Sequence, residues 1–226
     1  MTGRAFRGGP NELSRLTAHE YAREMIRRAI LRGDFTGGER LVQTDIAAQL
    51  KISTTPVREA MRDLATQGLI THDAHRGGVV REQDWTEMQH ILAIRRGLDP
   101  VAVQLAMSRV GDAQLLQAEN IADLLEHESD LGNWVELNER FHFIFHEATG
   151  SWRLTSILQT LEEAAGIYVA QAQRLHPEVR RQANQEHRQL IAAYQKHDQQ
   201  AAIDILNHHV ALPVESTVED REAELI

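Results

Sequence analysis

Histidine is the residue type whose number and spacing first suggest chemistry in this chain. The 226 residues include 12 histidines. His142, His187 and His209 each have an apolar residue three or four positions away, which places each imidazole on the apolar face of a helix. Asn138 lies one turn before His142. Three imidazoles and an amide oxygen, supplied by three helices, suit a divalent transition metal such as Zn²⁺ or Ni²⁺ and leave coordination positions for water or a ligand's carboxylate.

Two other interpretations of these histidines stay open. They can be core residues that hydrogen-bond to the backbone or to one another, without a metal. An open metal site can also be catalytic, and a di-iron bundle uses two Glu-x-x-His pairs with Glu from two further helices. Glu139 and Glu87 each precede a histidine by three residues, but Glu139 is rotated away from the face that carries His142, and Glu87 lies near the start of its helix.

The sequence contains no Gly-rich phosphate loop and no Gly-x-Ser-x-Gly elbow. We therefore expect that the chain is not an enzyme, and a metal-dependent helical-bundle enzyme is a remote alternative. The absence of cysteine excludes disulfides and thiolate chemistry and fits a cytoplasmic protein. No run of about 18 apolar residues occurs, so no membrane span is expected.

A second group of residues suited to chemistry lies in the first third of the chain and consists of hydroxyl and arginine side chains. The pattern predicts a helix over about 43–50 with Thr44 as its cap, a tight turn, and a second helix capped by Ser53. Pro56 falls in the first turn of the second helix, where its missing N–H costs little. Gly68 suits the C-terminal end of that helix.

Two short segments, 69–73 and 77–81, follow and can pair as a β-hairpin. Two short helices followed by a hairpin are typical of a winged helix-turn-helix, whose second helix enters the major groove of DNA. Hydroxyl groups and a helix N-terminus suit phosphate oxygens, and arginine suits guanine or phosphate. Arg58 is the main predicted contact with a base or phosphate. The full predicted DNA-contact set is Thr44, Ser53, Thr54, Thr55, Arg58, Arg62, His75, Arg76 and Gly77.

The charge of the chain is divided unevenly along its length. Residues 1–81 hold 13 Lys and Arg against 9 Asp and Glu, a net charge of +4, whereas residues 82–226 hold 11 against 24, a net charge of −13. A mildly basic first part and a strongly acidic remainder favour DNA contact by the first part only, because phosphate repels the rest.

The predicted fold is mainly α, with an N-terminal winged helix-turn-helix that carries a small β-hairpin wing, followed by an all-α antiparallel helical bundle. A first helix is predicted at about 17–32, and a kink or break is expected at Pro100. The predicted bundle helices are at about 85–109, 112–130, 132–149, 151–174, 178–197 and 199–212. The predicted domains are a mobile arm at 1–12, a DNA-binding domain at 13–82, a helical effector, metal-binding and dimerisation domain at 83–214, and an acidic tail at 215–226.

The first third of the chain contains several short sequence motifs that occur together in one protein family. They are Gly33-Asp34-Phe35-Thr36-Gly37, Arg40-Leu41, Ser53 through Met61, Gly68-Leu69-Ile70 and Arg76-Gly77. These motifs resemble the GntR family of bacterial transcription regulators. The family usually has Pro before Gly37, Arg at the position of Thr54, and often Arg at the position of Thr44. Two DNA-contacting arginines are thereby replaced, so the operator is expected to depart from the usual one.

A second set of short sequence motifs follows in the part of the chain predicted to form the helical bundle. They are Arg95-x-x-Leu98-Asp99, Asn138-x-x-Phe141-His142, Thr149-Gly150-Ser151, Glu186-His187, Asp198 and His209-Val210. In this order they resemble the FCD-type effector domain of the FadR subfamily, and the resemblance covers about residues 17–212. Metal-binding members of the subfamily use the same ligand arrangement, often with Asp where this chain has Asn138. An Arg at the place of Arg95 lies near their effector cavity.

The resemblance implies a ligand-responsive bacterial transcription regulator, and we expect it to be a repressor of a metabolic operon. It implies a homodimer on a pseudo-palindromic double-stranded operator and a small carboxylate effector. The metal ligands are then Asn138, His142, His187 and His209, with Arg95 on the effector, because a guanidinium binds a carboxylate bidentately. Arg95 can equally form an ordinary ion pair with Asp99, one turn later. The alternative regulator has a metal-free pocket for an acyl chain or another apolar effector.

Overall fold

The chain divides into two compact units, with the boundary between Gln83 and Asp84. The computed structural model describes residues 16–73 and 77–223. The arm expected at 1–12 and the wing residues His75 and Arg76 therefore lie outside the described residues. The first unit contains, in chain order, α1 (Ala18–Arg32), β1 (Arg40–Leu41), α2 (Gln43–Leu50), α3 (Thr54–Thr66), β2 (Ile70–Asp73) and β3 (Gly77–Val80).

The first helix is closed at both ends by local chemistry. Thr17 and Glu20 form a reciprocal capping box, which satisfies N–H groups that no helical carbonyl can reach. Gly33 ends the helix in the left-handed conformation with φ of 82°, where a side chain would be strained. The capping box at Thr17 and the glycine at position 33 thus explain why the helix begins and ends where the sequence predicts.

The helix pair follows its prediction in extent but not in its first cap. The N-cap of α2 is Val42, whose carbonyl already accepts from the N–H groups of Asp45 and Ile46. Thr44 lies one position inside the helix, and its hydroxyl contacts the Asp45 carboxylate at 3.3 Å. The predicted capping by Thr44 is therefore wrong, because the helix begins before it. Lys51 makes the turn between the helices at φ of 57°.

An antiparallel sheet completes the first unit, with the described strands in the order β1-β3-β2. The predicted hairpin pairs Ile70 with Val80 and Asp73 with Gly77. The two residues of β1 were not predicted, since a strand of that length shows no alternation in sequence. A Cβ at Gly78 would lie 3.0 Å from the side chain of Ile70 on the neighbouring strand, so this glycine leaves room for Ile70 to pack into the core.

The second unit is helical in all its described elements, and no described helix in either unit is long and apolar enough to cross a membrane. Asp84 caps its first helix by accepting from the N–H of Thr86, as predicted. The fold class predicted from sequence is confirmed. The helices of the second unit are α4 (Trp85–Met107), α5 (Asp112–His127), α6 (Leu131–Ala148), α7 (Trp152–Leu175), α8 (Pro177–Gln195) and α9 (Gln199–Ala223).

Two helices continue through a proline: α4 at Pro100, where a kink or a break was expected, and α9 at Pro213, beyond the predicted helix end. Val210 through Val214 form a buried segment around Pro213, so packing stabilises the helix beyond the lost hydrogen bond. The helix end predicted near 212 is therefore wrong, and α9 includes most of the segment expected to be an acidic tail.

Candidate metal centre and nucleic-acid interface

Three histidines singled out by their spacing converge inside the second unit from α6, α8 and α9. His142 and His187 are fully buried, and the side chain of His209 is 10 % exposed. Their ligating atoms all lie within 4.8 Å of one another. The Nε2 atoms of His142 and His209 are only 3.1 Å apart. Nitrogen ligands of a tetrahedral zinc ion lie about 3.4 Å apart, so modest ring rotations would bring this set around one ion.

Aromatic packing holds two of these rings in place. The Phe141 ring centroid lies 4.4 Å from that of His187 and 5.3 Å from that of His142. Trp134 stacks on His187 at 6.2 Å, and its Nε1–H donates to Asn184 Oδ1 at 3.2 Å. The imidazoles are therefore packed against rigid side chains, which limits the rotations that they can make.

Burial determines the protonation of His142 and His187. Burial, followed by the proximity of His209, lowers the pKa of His142 well below its ordinary value, and the same two causes lower the pKa of His187. Both imidazoles are therefore neutral near pH 7 and present lone pairs, which is the form that binds a metal.

Several polar atoms beside the cluster have no protein partner. Asn138 Oδ1 and both ring nitrogens of His187 are buried without a hydrogen bond to any described residue. A buried polar atom left without a partner costs about 1–3 kcal/mol, so such atoms rarely occur together without a ligand. The donor set of Asn138 and the three histidines fits a divalent transition metal.

Glu186 is a neighbour of the cluster to which sequence reasoning gave no role. Its Oε2 accepts from Nδ1 of His209 at 3.0 Å, and its Oε1 accepts from Nδ1 of His208 at 2.6 Å. Burial acts to raise the pKa of Glu186, but hydrogen bonds and charge from His209 and His208 outweigh it, so the pKa is lowered. In the sequence, Glu186 stands out only as part of the motif Glu186-His187, and a single sequence does not show that it contacts histidines 22 and 23 residues later.

A second buried polar group lies near His142, whose ring centroid is 6.4 Å from that of His146. Arg95 Nε contacts Asp99 Oδ2 at 3.2 Å, and an Arg95 terminal nitrogen contacts Glu162 Oε1 at 3.5 Å. His146 Nδ1 lies 3.7 Å from the second oxygen of Glu162. The Arg95–Asp99 ion pair considered from sequence is therefore present, whereas Glu162 and His146 had no sequence signal. Burial raises the pKa of Glu162 well above its ordinary value, against the opposing charge of Arg95.

The two groups border one cavity. Its lining includes Asp99, His142, His146 and Tyr194, and its volume is about 10 Å³. That volume holds about one water molecule. An organic effector would therefore need these side chains to move apart before it could reach the histidines.

In the first unit, the residues predicted to contact DNA surround the start of α3. All six of those with described side chains are exposed. Ser53 occupies the N-cap position and makes no side-chain capping bond with a described residue. The start of α3 is thus a surface of hydroxyl groups and helix N–H groups, which suits phosphate. The six exposed residues are Thr44, Ser53, Thr54, Thr55, Arg58 and Arg62.

The wing is described only in part. Gly77 begins β3 and pairs with Asp73, whereas the predicted contacts His75 and Arg76 lie outside the described residues. The hairpin nevertheless follows α3 directly, which is the order that a winged helix-turn-helix requires.

Both units match models of known protein families. Residues 19–80 match the model described as bacterial regulatory proteins, gntR family, and residues 90–212 match the FCD domain. The chain is 35% identical over 113 residues to the Nta operon transcriptional regulator of Aminobacter aminovorans, a match that covers 48% of this chain and 53% of that protein. This chain thus spans about half the length of that relative.

A longer match and two solved structures extend this similarity. The chain is 28% identical over 211 residues to the probable D-xylose utilization operon transcriptional repressor of Paenarthrobacter nicotinovorans, with 91% of each chain covered. E. coli McbR/YncC superposes with a TM-score of 0.76 at 19% identity, over 91% of this chain and 99% of that one. A GntR regulator from Rhodococcus sp. RHA1 has a TM-score of 0.66 at 22% identity, over 91% and 96%. These two structures support the fold.

The buried His146 gives the stability of the metal-free protein a defined dependence on pH. Burial, followed by the charge of Arg95, lowers the pKa of His146 to about 3. Between about pH 6.5 and 3 the unfolded chain therefore binds a proton that the folded chain does not, and the free energy of unfolding falls as the pH falls. In His146→Gln this contribution is absent, so the slope should be shallower by about 1.4 kcal/mol per pH unit.

Urea denaturation of the chelated protein between pH 6 and pH 4.5 measures this slope. His127→Gln, at an exposed position of α5, is the matched control and should retain the wild-type slope. Parallel profiles for wild type and His146→Gln would contradict the burial of a neutral His146.

Proposed function

Because the chain belongs to the GntR family of bacterial transcription regulators and carries an FCD domain, we propose that it is a metal-containing repressor that senses a small organic acid. The chain is a DNA-binding transcription regulator and not an enzyme. We assign DNA reading to residues 13–82 and sensing to residues 83–214, and we place the protein in the FadR subfamily. Repression is favoured because several relatives, among them the Paenarthrobacter protein, are repressors by name.

In this proposal, α3 reads the major groove with its N-terminal end. Arg58 is exposed one turn into the helix and supplies the main base or phosphate contact. The hydroxyls of Ser53, Thr54 and Thr55 and the helix N–H groups bind phosphate oxygens. Thr44, Arg62 and the wing residues His75, Arg76 and Gly77 complete the contact surface. The net charge of +4 in residues 1–81 steers this unit to DNA.

The observation that carries the sensing half is the buried cluster of imidazoles with Asn138 beside it. Asn138, His142, His187 and His209 would hold Zn²⁺ or Ni²⁺, since both accept imidazole and amide oxygen. When bound, the ion supplies a Lewis-acidic anchor for a ligand's carboxylate. Arg95 contributes a second positive charge: it is paired with Asp99, which lines the small cavity beside His142, and its guanidinium would bind the acid.

The effector acts by preferring one arrangement of the DNA-reading units over another, because a ligand with equal affinity for both shifts nothing. We propose that these units are paired in a homodimer, so that two of them read a pseudo-palindrome. An apolar stripe on α4 supports pairing. Ile94, Val101 and Leu105 are 49%, 44% and 36% exposed and, with Leu98, follow a spacing of four, three and four residues, which is typical of helix–helix contacts.

Operator binding tests the reading half. Arg58→Ala should weaken binding to a duplex selected by the wild-type protein from random sequence by about 5- to 150-fold, the equivalent of about 1–3 kcal/mol. Fluorescence anisotropy at fixed salt measures the change. Arg153→Ala, at an exposed position of α7, controls for the loss of one positive charge. Equal affinity of wild type and Arg58→Ala would overturn the proposed contact.

Thermal stabilisation tests the sensing half. A panel of small carboxylic acids should contain at least one that raises the melting temperature of the Zn²⁺-loaded protein, since a ligand of the folded state stabilises by mass action. The shift should vanish after chelation. In Arg95→Lys the shift by the acid should shrink while the shift by Zn²⁺ alone persists. A shift that survives chelation would instead favour a metal-free pocket for an apolar effector.

Sedimentation tests the dimer. Val101→Glu places a charge in the α4 stripe and should convert the dimer to a monomer at micromolar concentration, because an unpaired charge in an apolar contact is expensive. Ala93→Glu adds the same charge at an exposed position on a neighbouring face of α4 and should remain dimeric. A dimeric Val101→Glu would exclude this stripe as the interface.

A further inference from the structure

We propose that Glu186 is the anionic support of the metal centre: it fixes the tautomer of His209 and supplies negative charge that the four ligands lack. This inference rests on the proposed metal site and adds to it a positioning residue outside the ligand set. Its basis is a chain of contacts that runs from the cluster through His209 to Glu186 and on to His208 at the surface.

The first step concerns the proton on His209. A carboxylate can only accept hydrogen bonds, so Nδ1 of His209 must carry the proton in its 3.0 Å contact with Glu186 Oε2. A neutral imidazole with its proton on Nδ1 has its lone pair on Nε2. That Nε2 is the atom that lies 3.1 Å from Nε2 of His142. Glu186 therefore turns the ligating atom of His209 toward the cluster.

The second step concerns charge. Three neutral imidazoles and the amide of Asn138 bring no negative charge to a divalent ion, and an uncompensated buried charge is costly. Asp99 and Glu162, the other buried carboxylates nearby, both contact Arg95, at 3.2 and 3.5 Å, and are thereby engaged with a cation. Glu186 contacts two histidines, one of which is a ligand. It is the carboxylate placed to offset the charge of the ion.

The third step concerns how Glu186 itself is held. Only 8% of its side chain is exposed, and each oxygen has its own partner. Oε1 accepts from His208 Nδ1 at 2.6 Å and from Gln182 Nε2 at 3.4 Å, which leaves Oε2 for His209. His208, half exposed, thus acts from outside as the residue that orients Glu186. Losing the direct partner of a metal ligand, here Glu186, typically weakens metal binding by about 10- to 100-fold.

The affinity for Zn²⁺ alone, measured by competition with a chromophoric chelator, tests the inference. Glu186→Gln keeps the shape of the side chain and removes its charge, and it should weaken binding by about 10- to 100-fold. Glu178→Gln is the matched control, because Glu178 lies on the same helix and also contacts a histidine, His176, at 3.3 Å. It should bind Zn²⁺ as wild type does. His208→Gln should weaken binding by a smaller but measurable factor, about two- to tenfold, because His208 acts only through Glu186.

A second readout follows the tautomer directly. In ¹⁵N spectra of the chelated protein, His209 should carry its proton on Nδ1, and Glu186→Leu should move a measurable fraction to Nε2. The signal is assigned with His209→Gln. A purely structural role for Glu186 would leave the tautomer unchanged.

The outcomes separate this inference from the proposed function. Wild type and Glu186→Gln with equal Zn²⁺ affinity would overturn the role of Glu186 and leave the metal site standing. A wild-type protein that binds no Zn²⁺ or Ni²⁺ would overturn the metal site and this inference together. If Glu186→Gln does not fold, an unchanged affinity in His208→Gln and an unchanged tautomer in Glu186→Leu would each count against the inference.

Discussion

The stability of the helical unit and its suitability as a ligand site both depend on polar groups that are buried in its interior, away from water. Bundles of this kind usually fill their centre with hydrocarbon, yet here Asn138, His142, His187, Arg95 and Glu162 occupy it. Each unpartnered atom among them lowers stability by about 1–3 kcal/mol. Such an arrangement is unfavourable for a purely structural core and favourable for a site that gains its missing contacts from a ligand.

The polar groups separate into two halves with opposite electrostatic character. On one side, Arg95 is a cation with two carboxylates against it, and burial drives the pKa values of Asp99 and Glu162 upward while Arg95 opposes the shift. On the other side, Glu186 is an anion held by two histidines. His142 is close to a member of each half: its ring centroid lies 4.9 Å from that of His209, the partner of Glu186, and 6.4 Å from that of His146. An acid bound here would compete with Glu162 for Arg95. Only ligands that bind Arg95 more strongly than Glu162 does would then displace it.

How far the sequence could predict this site depends on the range of each interaction. The inward direction of His142, His187 and His209 follows from neighbours three or four residues away on the same helix, and the structure brings the three together. The helix pair follows from equally local cap and turn signals. Glu186 and Glu162 act through contacts between helices that are far apart in sequence, and no local pattern encodes them. The prediction that α9 ends near residue 212 failed for the same reason, because tertiary burial around Pro213 outweighs the local cost of proline.

The position of α4 explains how a ligand bound in the cavity could change the affinity of the protein for DNA. This helix begins at Trp85, immediately after the boundary of the two units, and the Tyr168 hydroxyl of α7 donates to the carbonyl of its cap Asp84 at 3.0 Å. Arg95 lies on the same helix and is buried, whereas the stripe proposed for pairing, which begins at Ile94, is on the exposed face. The part of α4 from Trp85 to Arg95 precedes Pro100, so its hydrogen-bonded turns are continuous and can move together. A ligand that draws Arg95 away from Asp99 or Glu162 would therefore act on α4. This helix carries the ion pair, follows the DNA-binding unit directly in the chain, and provides the proposed contact with a second copy. Coupling then requires only that α4 has two packed positions of similar energy, because a ligand that contacts one of them better shifts the population toward it.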